Sequence, residues 1–254
     1  MFRSFILSAC LIGAVAGVLL TAIQSFGVTP ILLSAEQFEG AAAQPEAADA
    51  HGHDHDHGGH AHGGDGWAPS DGGERLFFTG LSNVLAGVGF TAVMLVLMNQ
   101  LHERGRLRLT PLHGLLLGLI GYLVVFVAPS LGLPPEVPGA NSAALATRQL
   151  WWVTTVILAA TGLGLLCLAS GWKRALGLPL LGLPYLFVPA HPEGPLFSHP
   201  DPEAVSTLHA LHHDFIWATG LTNLAFWLVV GLACALVLRR IAGNRSNDPE
   251  DAAA

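Results

Sequence analysis

Residues 5–26 read FILSACLIGAVAGVLLTAIQSF, an apolar run without a single charged residue. An α-helix rises roughly 1.5 Å per residue and a bilayer core is about 30 Å thick, so some 20 apolar residues suffice to cross it. This stretch therefore reads as a membrane helix. Comparable runs lie at 76–101, 112–131, 150–170 and 215–238, with a shorter, proline-broken one at 175–190. The pattern predicts an all-α fold, a polytopic membrane helix bundle in which residues 1–254 form one integral membrane domain. A chain that is 52% hydrophobic and 11% charged fits that class. A strand barrel would instead show short alternating segments.

Cys10, Cys167 and Cys234 stand alone inside apolar runs, so neither a disulfide framework nor a thiolate metal site is indicated. Residues 7–10, LSAC, have the look of a lipoprotein cleavage box. The apolar stretch before Cys10 is too short for a signal core and continues past it, so the first segment reads as a retained helix.

Basic residues set the orientation, because Lys and Arg gather on the cytoplasmic side. Arg3 precedes the first run; Arg104, Arg106 and Arg108 follow the second; Lys173 and Arg174 follow the fourth; Arg239, Arg240 and Arg245 follow the last. Placing all of these inside leaves only Arg75 and Arg148 outside and puts both termini in the cytoplasm, with 241–254 a short cytoplasmic tail. That scheme needs six crossings, so 175–190 must traverse although it spans only about 24 Å and carries Pro179, Pro184 and Pro189. A broken helix of this kind survives at membrane depth where protein or a water-lined cavity surrounds it. The alternative is five crossings with this segment re-entrant.

Two pentapeptides support the scheme. TGLSN (79–83) and TGLTN (219–223) each follow an acidic residue, Glu74 and Asp214, and each opens an outside-to-inside helix. GYLVVFVAP (121–129) likewise resembles PYLFVPA (184–190), which suggests three related helical hairpins in tandem. Gly13 with Gly17, and Gly114 with Gly118, are small-residue pairs that permit close helix approach.

Polar chemistry is lopsided in this scheme. Eleven of thirteen histidines and fourteen of eighteen acids fall outside, giving about −12 there and +5 inside. Such a mouth concentrates divalent cations, and nucleic-acid binding would want the opposite balance. The densest stretch is HGHDHDHGGHAH (51–62): His51, His53, His55, His57, His60 and His62 with Asp54 and Asp56. Imidazole with interleaved carboxylate suits cobalt, nickel or zinc. Its Ala- and Gly-rich flanks cannot bury apolar surface, so 34–75 reads as a disordered periplasmic loop that orders on metal, the bland alternative being a solvated tail.

A second candidate is HALHHD, where His209, His212 and His213 sit at i, i+3 and i+4 and share one face of a helix starting near Val205. Asp214 is a further ligand, an orienting partner or a helix-dipole charge; the plain alternative for the group is an interfacial polar cap. The loop 191–213 before and around it carries His191, Glu193, His199 and Asp201 among prolines, either as ligands at fixed separations or as a rigid surface loop. Glu36 and Glu39 are gateway carboxylates or interfacial caps. Asn83 and Asn223 bond between helices or touch a passing ion. His102 and His113, flanking the basic loop, are candidate exit ligands.

Several activities lack their motifs. No phosphate loop, no HExxH and no nucleophile elbow occur, and no pair of histidines sits mid-membrane to hold haem. The reading is thus not an enzyme and uses no organic cofactor.

The opening FRSFILSACLIGAVAGVLLTAIQ (2–24), VTPILLSAEQFE (28–39), ERLFFTGLSN (74–83), HPEGP (191–195) and LHALHHDFIWATGLTN (208–223) together resemble the CbtA-type cobalt transporter subunit family over nearly the whole chain. The resemblance implies a multi-pass protein of the bacterial inner membrane with about five spans, embedded in membrane lipid. It also implies Co2+ import for cobalamin synthesis, with a small one-helix, His-rich CbtB-type partner. Three readings stay open: a divalent-metal permease, a non-transporting accessory or sensor subunit, and a membrane metalloenzyme. Ni2+ and Zn2+ remain possible cargoes beside Co2+.

Overall fold

The computed structural model describes residues 2–42, 69–70, 72–190 and 192–246. The described residues form α1 (Phe2–Gly27), α2 (Thr29–Ala42), α3 (Gly73–Glu103), α4 (Pro111–Tyr122), α5 (Ala128–Ser130), α6 (Leu145–Leu168), α7 (Gly177–Gly182) and α8 (Pro202–Ser246). A π turn over Leu123–Val127 joins α4 to α5, so Pro111–Ser130 reads as one apolar helix. No strand occurs among the described residues beyond one isolated bridge, Ala140 to Phe197. Five helices are long and apolar enough to cross a membrane by length and composition: α1, α3, α4 with α5, α6 and α8.

Large apolar side chains face outward along the long helices, as a membrane bundle requires. Leu7, Leu11 and Val18 of α1, Leu85 and Val93 of α3, and Leu150 and Ile157 of α6 are exposed. The packed interior gathers on α8. Ala9, Ile12, Ala16 and Leu20 of α1, Met94, Leu95 and Met98 of α3, and Leu117 of α4 surround Phe226, Trp227, Val230, Cys234 and Leu238. Small residues bring the backbones together, since lipid gives helices no hydrophobic reason to associate and close packing must do so instead. A Cβ on Gly17 would lie 2.6 Å from Val84 Cα, so α1 and α3 meet backbone to backbone, antiparallel. Gly114 and Gly118 of α4 meet Gly231 and Trp227 of α8 in the same way.

Tandem hairpins do not describe the pairing beyond α1 and α3. α4 lies against α8, and α6 packs on the broken segment that follows it. The reason is geometric: Gly114, Gly118 and Gly121 present a smooth face against which Gly231, Ala235 and Trp227 of α8 pack closely.

The stretch expected to be a broken helix is broken. A 3-10 turn Gly171–Leu176, the six-residue α7 and a second 3-10 turn Leu183–Leu186 replace one continuous helix. Pro179 and Pro184 remove backbone donors that a regular helix would use. Gly177 packs on Gly162 and Leu166, while Trp151 Nε1 donates to the Pro184 carbonyl at 3.0 Å. The segment thus runs back along α6, antiparallel to it. Tyr185 donates its hydroxyl proton to the Ala128 carbonyl at 2.7 Å, tying the segment to the end of the π turn.

Two ends of the bundle follow. At one, Arg106 Nη1 donates to the Leu168 carbonyl, joining the 104–110 turn to the end of α6. That turn is a Schellman close of α3: Gly105, at φ 66°, donates to His102 O, and Arg106 donates to Leu101 O. At the other end Asn141 N–H donates to Leu196 O at 2.8 Å, pairing the two long loops. There a second core forms from Val28, Ala35, Val137, Phe197, Leu208 and Phe215. α8, with 45 residues, is about 68 Å long, more than twice a bilayer core, so its first turns stand beyond the apolar zone inside this second core.

The loop boundaries differ from the sequence reading. Residues 34–42, expected in the first loop, continue α2, and 73–75 already belong to α3. The last helix, expected from near Val205, starts at Pro202, so the second loop drawn to 213 ends at 201, and 241–246 of the expected tail are the helix's last turns.

Candidate metal-capture site

The histidine end is built around Phe197. Its ring is 2% exposed, held by the bridge to Ala140 and by the apolar second core. α8 begins beside it because Asp201 caps the helix: its Oδ1 accepts the Glu203 N–H at 2.9 Å, and Pro202 fills the first helical position. The cap sets the register, and the register brings His209 and His212 onto Phe197. Their rings meet it edge-on, at centroid distances of 5.1 and 6.0 Å.

The four candidate ligands of HALHHD divide into two groups. His209 is exposed and makes no hydrogen bond among the described residues. His212 is half-buried, and its Nδ1 is buried without a hydrogen-bond partner. A buried ring nitrogen without a partner is costly, and a ligand that engages it removes that cost. His213 points elsewhere: Trp217 Nε1 donates to its Nε2 at 3.2 Å, and its Nδ1 stands 3.6 Å from Asp214 Oδ1. Both nitrogens of His213 thus have neighbours, and Asp214 is exposed beside it.

His199 packs edge-on against Phe38 of α2, with centroids 6.2 Å apart. Its Nδ1 accepts the Asp201 N–H at 3.1 Å, which places the proton of the neutral ring on Nε2. That Nε2 is buried and unpartnered, but as a donor and not as a lone pair. Glu193 is exposed in the proline-rich turn. Glu36 is engaged: Arg75 reaches from α3 to both of its oxygens, with Nη1 to Oε2 at 2.9 Å. Glu39 lies in α2, beyond the residues whose side chains are described.

Glu136, in the loop before α6, is a charged neighbour of His212. Glu136 accepts hydrogen bonds from Ser142 Oγ and from Arg148 Nη1, and its side chain is 10% exposed. Arg148 Nε is buried without a partner. In the sequence Glu136 shows only as a single Glu in a proline-rich loop. Both arginines at this end are thereby paired with carboxylates.

Asn83 does bond between helices, donating to Thr21 Oγ1 at 3.0 Å and to Gln24 Oε1 at 2.7 Å in α1. Its counterpart Asn223 donates only to Thr219 O in its own helix, and the Thr219 hydroxyl is buried without a partner. His102 Nδ1 lies 3.0 Å from Leu107 O, and His113 Nδ1 lies 2.6 Å from Thr110 Oγ1, both at the arginine end.

Among the described residues no three His, Cys, Asp or Glu side chains converge to hold an ion. His209 and His212, two imidazoles one helical turn apart, are what this end offers in ordered form. His51, His53, His55, His57, His60, His62, Asp54 and Asp56 lie outside the described residues, as does His191.

A family model described as "Probable cobalt transporter subunit (CbtA)" matches residues 2–239, nearly the whole chain. No curated protein and no solved structure matches it.

Proposed function

The chain belongs to the CbtA family of probable cobalt transporter subunits, and from that premise we propose that it carries Co2+ into the cell across the bacterial inner membrane. In this reading it crosses six times, with both termini in the cytoplasm and the histidine end in the periplasm. The histidines and aspartates of 51–62 collect the ion, with Glu193 and the neighbouring carboxylates adding local negative charge. His209 and His212 receive it beside Phe197, and it passes through the helix bundle toward the arginine end. The imported metal serves cobalamin synthesis, and a one-helix CbtB-type subunit completes the transporter. Ni2+ and Zn2+ compete, because imidazole and carboxylate accept all three.

The observation that supports this most directly is the unpartnered Nδ1 of His212 next to the unbonded ring of His209. The charge pattern adds to it. The histidine end keeps only Arg75 and Arg148, each neutralised by a glutamate, while Arg104, Arg106, Arg108, Arg239 and Arg240 gather at the other end. The broken segment supports six crossings, since it returns from the Leu168 end to the Leu196 end.

The test is Co2+ uptake by proteoliposomes holding the full chain, with and without the one-helix partner. His209→Ala with His212→Ala should abolish uptake while leaving the protein folded by its thermal midpoint; undiminished uptake rejects the site. The family description as a subunit favours a second reading, in which the chain binds metal and delivers it without moving it alone. Cobalt binding without flux in every reconstitution, partner included, would select that reading.

A further inference from the structure

We propose that the arginine end of the bundle holds a phosphate-bearing anion, for which the headgroup of an acidic lipid is the source best placed. A cavity of about 620 Å³ opens there between the end of α3, the turn that follows it and the last turns of α8. Arg108, Arg239, His102 and Thr110 supply its polar lining, with Leu107 and Ala242 as apolar wall. No carboxylate of the described residues lines it. Neither Arg108 nor Arg239 has a carboxylate partner among the described residues, in contrast to Arg75 and Arg148 at the other end. Glu103, at the end of α3, accepts the Asn99 amide at 2.8 Å and faces an adjoining cavity of about 210 Å³.

Two guanidinium groups on one cavity repel each other unless an anion lies between them. Their planar forks match phosphate oxygens, which accept paired hydrogen bonds from them. The cavity is far larger than a halide needs. His102 donates its Nδ1 proton to the Leu107 carbonyl and so holds the turn that carries Arg108. Position selects the source. The cavity sits where the apolar faces of α3 and α8 end, and exposed Val93, Val96 and Leu236 on those helices can carry acyl chains while the phosphate lies among the arginines. Basic pockets between membrane helices favour acidic headgroups for this reason. The inference depends on the charge and shape of this end and not on which metal the protein handles.

The experiment is native mass spectrometry of the purified full chain in detergent with added phosphatidylglycerol or phosphatidylcholine, and with inorganic phosphate as competitor. The wild type should retain phosphatidylglycerol over phosphatidylcholine. Arg108→Gln with Arg239→Gln should weaken that retention at least about tenfold. Arg104→Gln with Arg174→Gln, a charge-matched change of exposed residues that do not line the cavity, should leave it intact. Phosphate that binds alone and displaces the lipid would keep the anion site and assign a free anion as its source. Equal loss in the two double variants, or no preference for either phosphate or the acidic lipid, overturns the proposal. Should the cavity variant misassemble, Arg108→Gln alone, in an exposed turn, reads the same loss.

Discussion

Gly114 of α4 and Gly231 of α8 face each other so closely that a Cβ on Gly114 would stand 2.7 Å from the Gly231 carbonyl oxygen. The same Cβ would stand 2.7 Å from the Ala235 methyl group. Nothing flexible lines that contact, so added volume must push two helices apart. Gly114→Ala should destabilise the bundle by about 1–3 kcal/mol. Gly89→Ala, whose added Cβ meets nothing within 4 Å, should stay near neutral. Unfolding in mixed micelles compares them; equal midpoints for the two variants would show that the interface can yield.

The two asparagines of the repeated pentapeptides should behave differently. Asn83→Ala removes two hydrogen bonds to α1 and should cost about 0.6–2 kcal/mol, the range of interhelical bonds in membranes. Asn223→Ala removes one bond inside its own helix and should cost less. The same unfolding assay reads both, and a larger effect at Asn223 would contradict the pairing seen here.

Arg75 and Glu36 link α2 to α3, but both side chains are about a third exposed, at 31% and 29%. Solvent screens such a pair, so Arg75→Gln should cost no more than about 1 kcal/mol. Exchanging the two charges, Glu36→Arg with Arg75→Glu, should recover part of that loss in a double-mutant cycle. A loss without any recovery would mean the residues act through other neighbours.

His213 and His212 are adjacent in sequence and should differ in function. His213→Ala should leave cobalt affinity nearly unchanged, because the Trp217 indole N–H already takes the lone pair of its Nε2. His212→Ala should weaken binding about tenfold or more, as the loss of one ligand in a sparse site does. Calorimetric titration with Co2+ separates the two, and the reverse order would move the site to the other face of the helix.

The path of the broken segment predicts the labelling of introduced cysteines. In a variant lacking Cys10, Cys167 and Cys234, cysteines at Arg174 and Glu193 should react with impermeant reagents from opposite membrane faces. Labelling from one face would make the segment re-entrant.

Much of this was legible in the chain itself. The run 76–101 became Gly73–Glu103, and the prolines of 175–190 marked the one segment that does not form a continuous helix. The apolar period announces such elements because lipid selects every residue that it touches. The site was harder to read, for a geometric reason. Neighbours on a helix lie about 100° apart, so His212 and His213 cannot both face Phe197, and i, i+3, i+4 spacing alone does not say which one does. Phe197 itself left no mark. It belongs to a loop–loop contact with Ala140, more than fifty positions away, and no local period encodes such a pairing. The same holds for Glu136 and Arg148, whose meeting depends on how one loop folds onto the start of α6.

α8 is one unbroken helix from Pro202 to Ser246, packed on α4 through Gly231 and set by its first turns into the second core. His212 and Arg239 belong to this single element, roughly 40 Å apart along its axis. With no hinge between them, a shift of the helix along its axis would carry both side chains together.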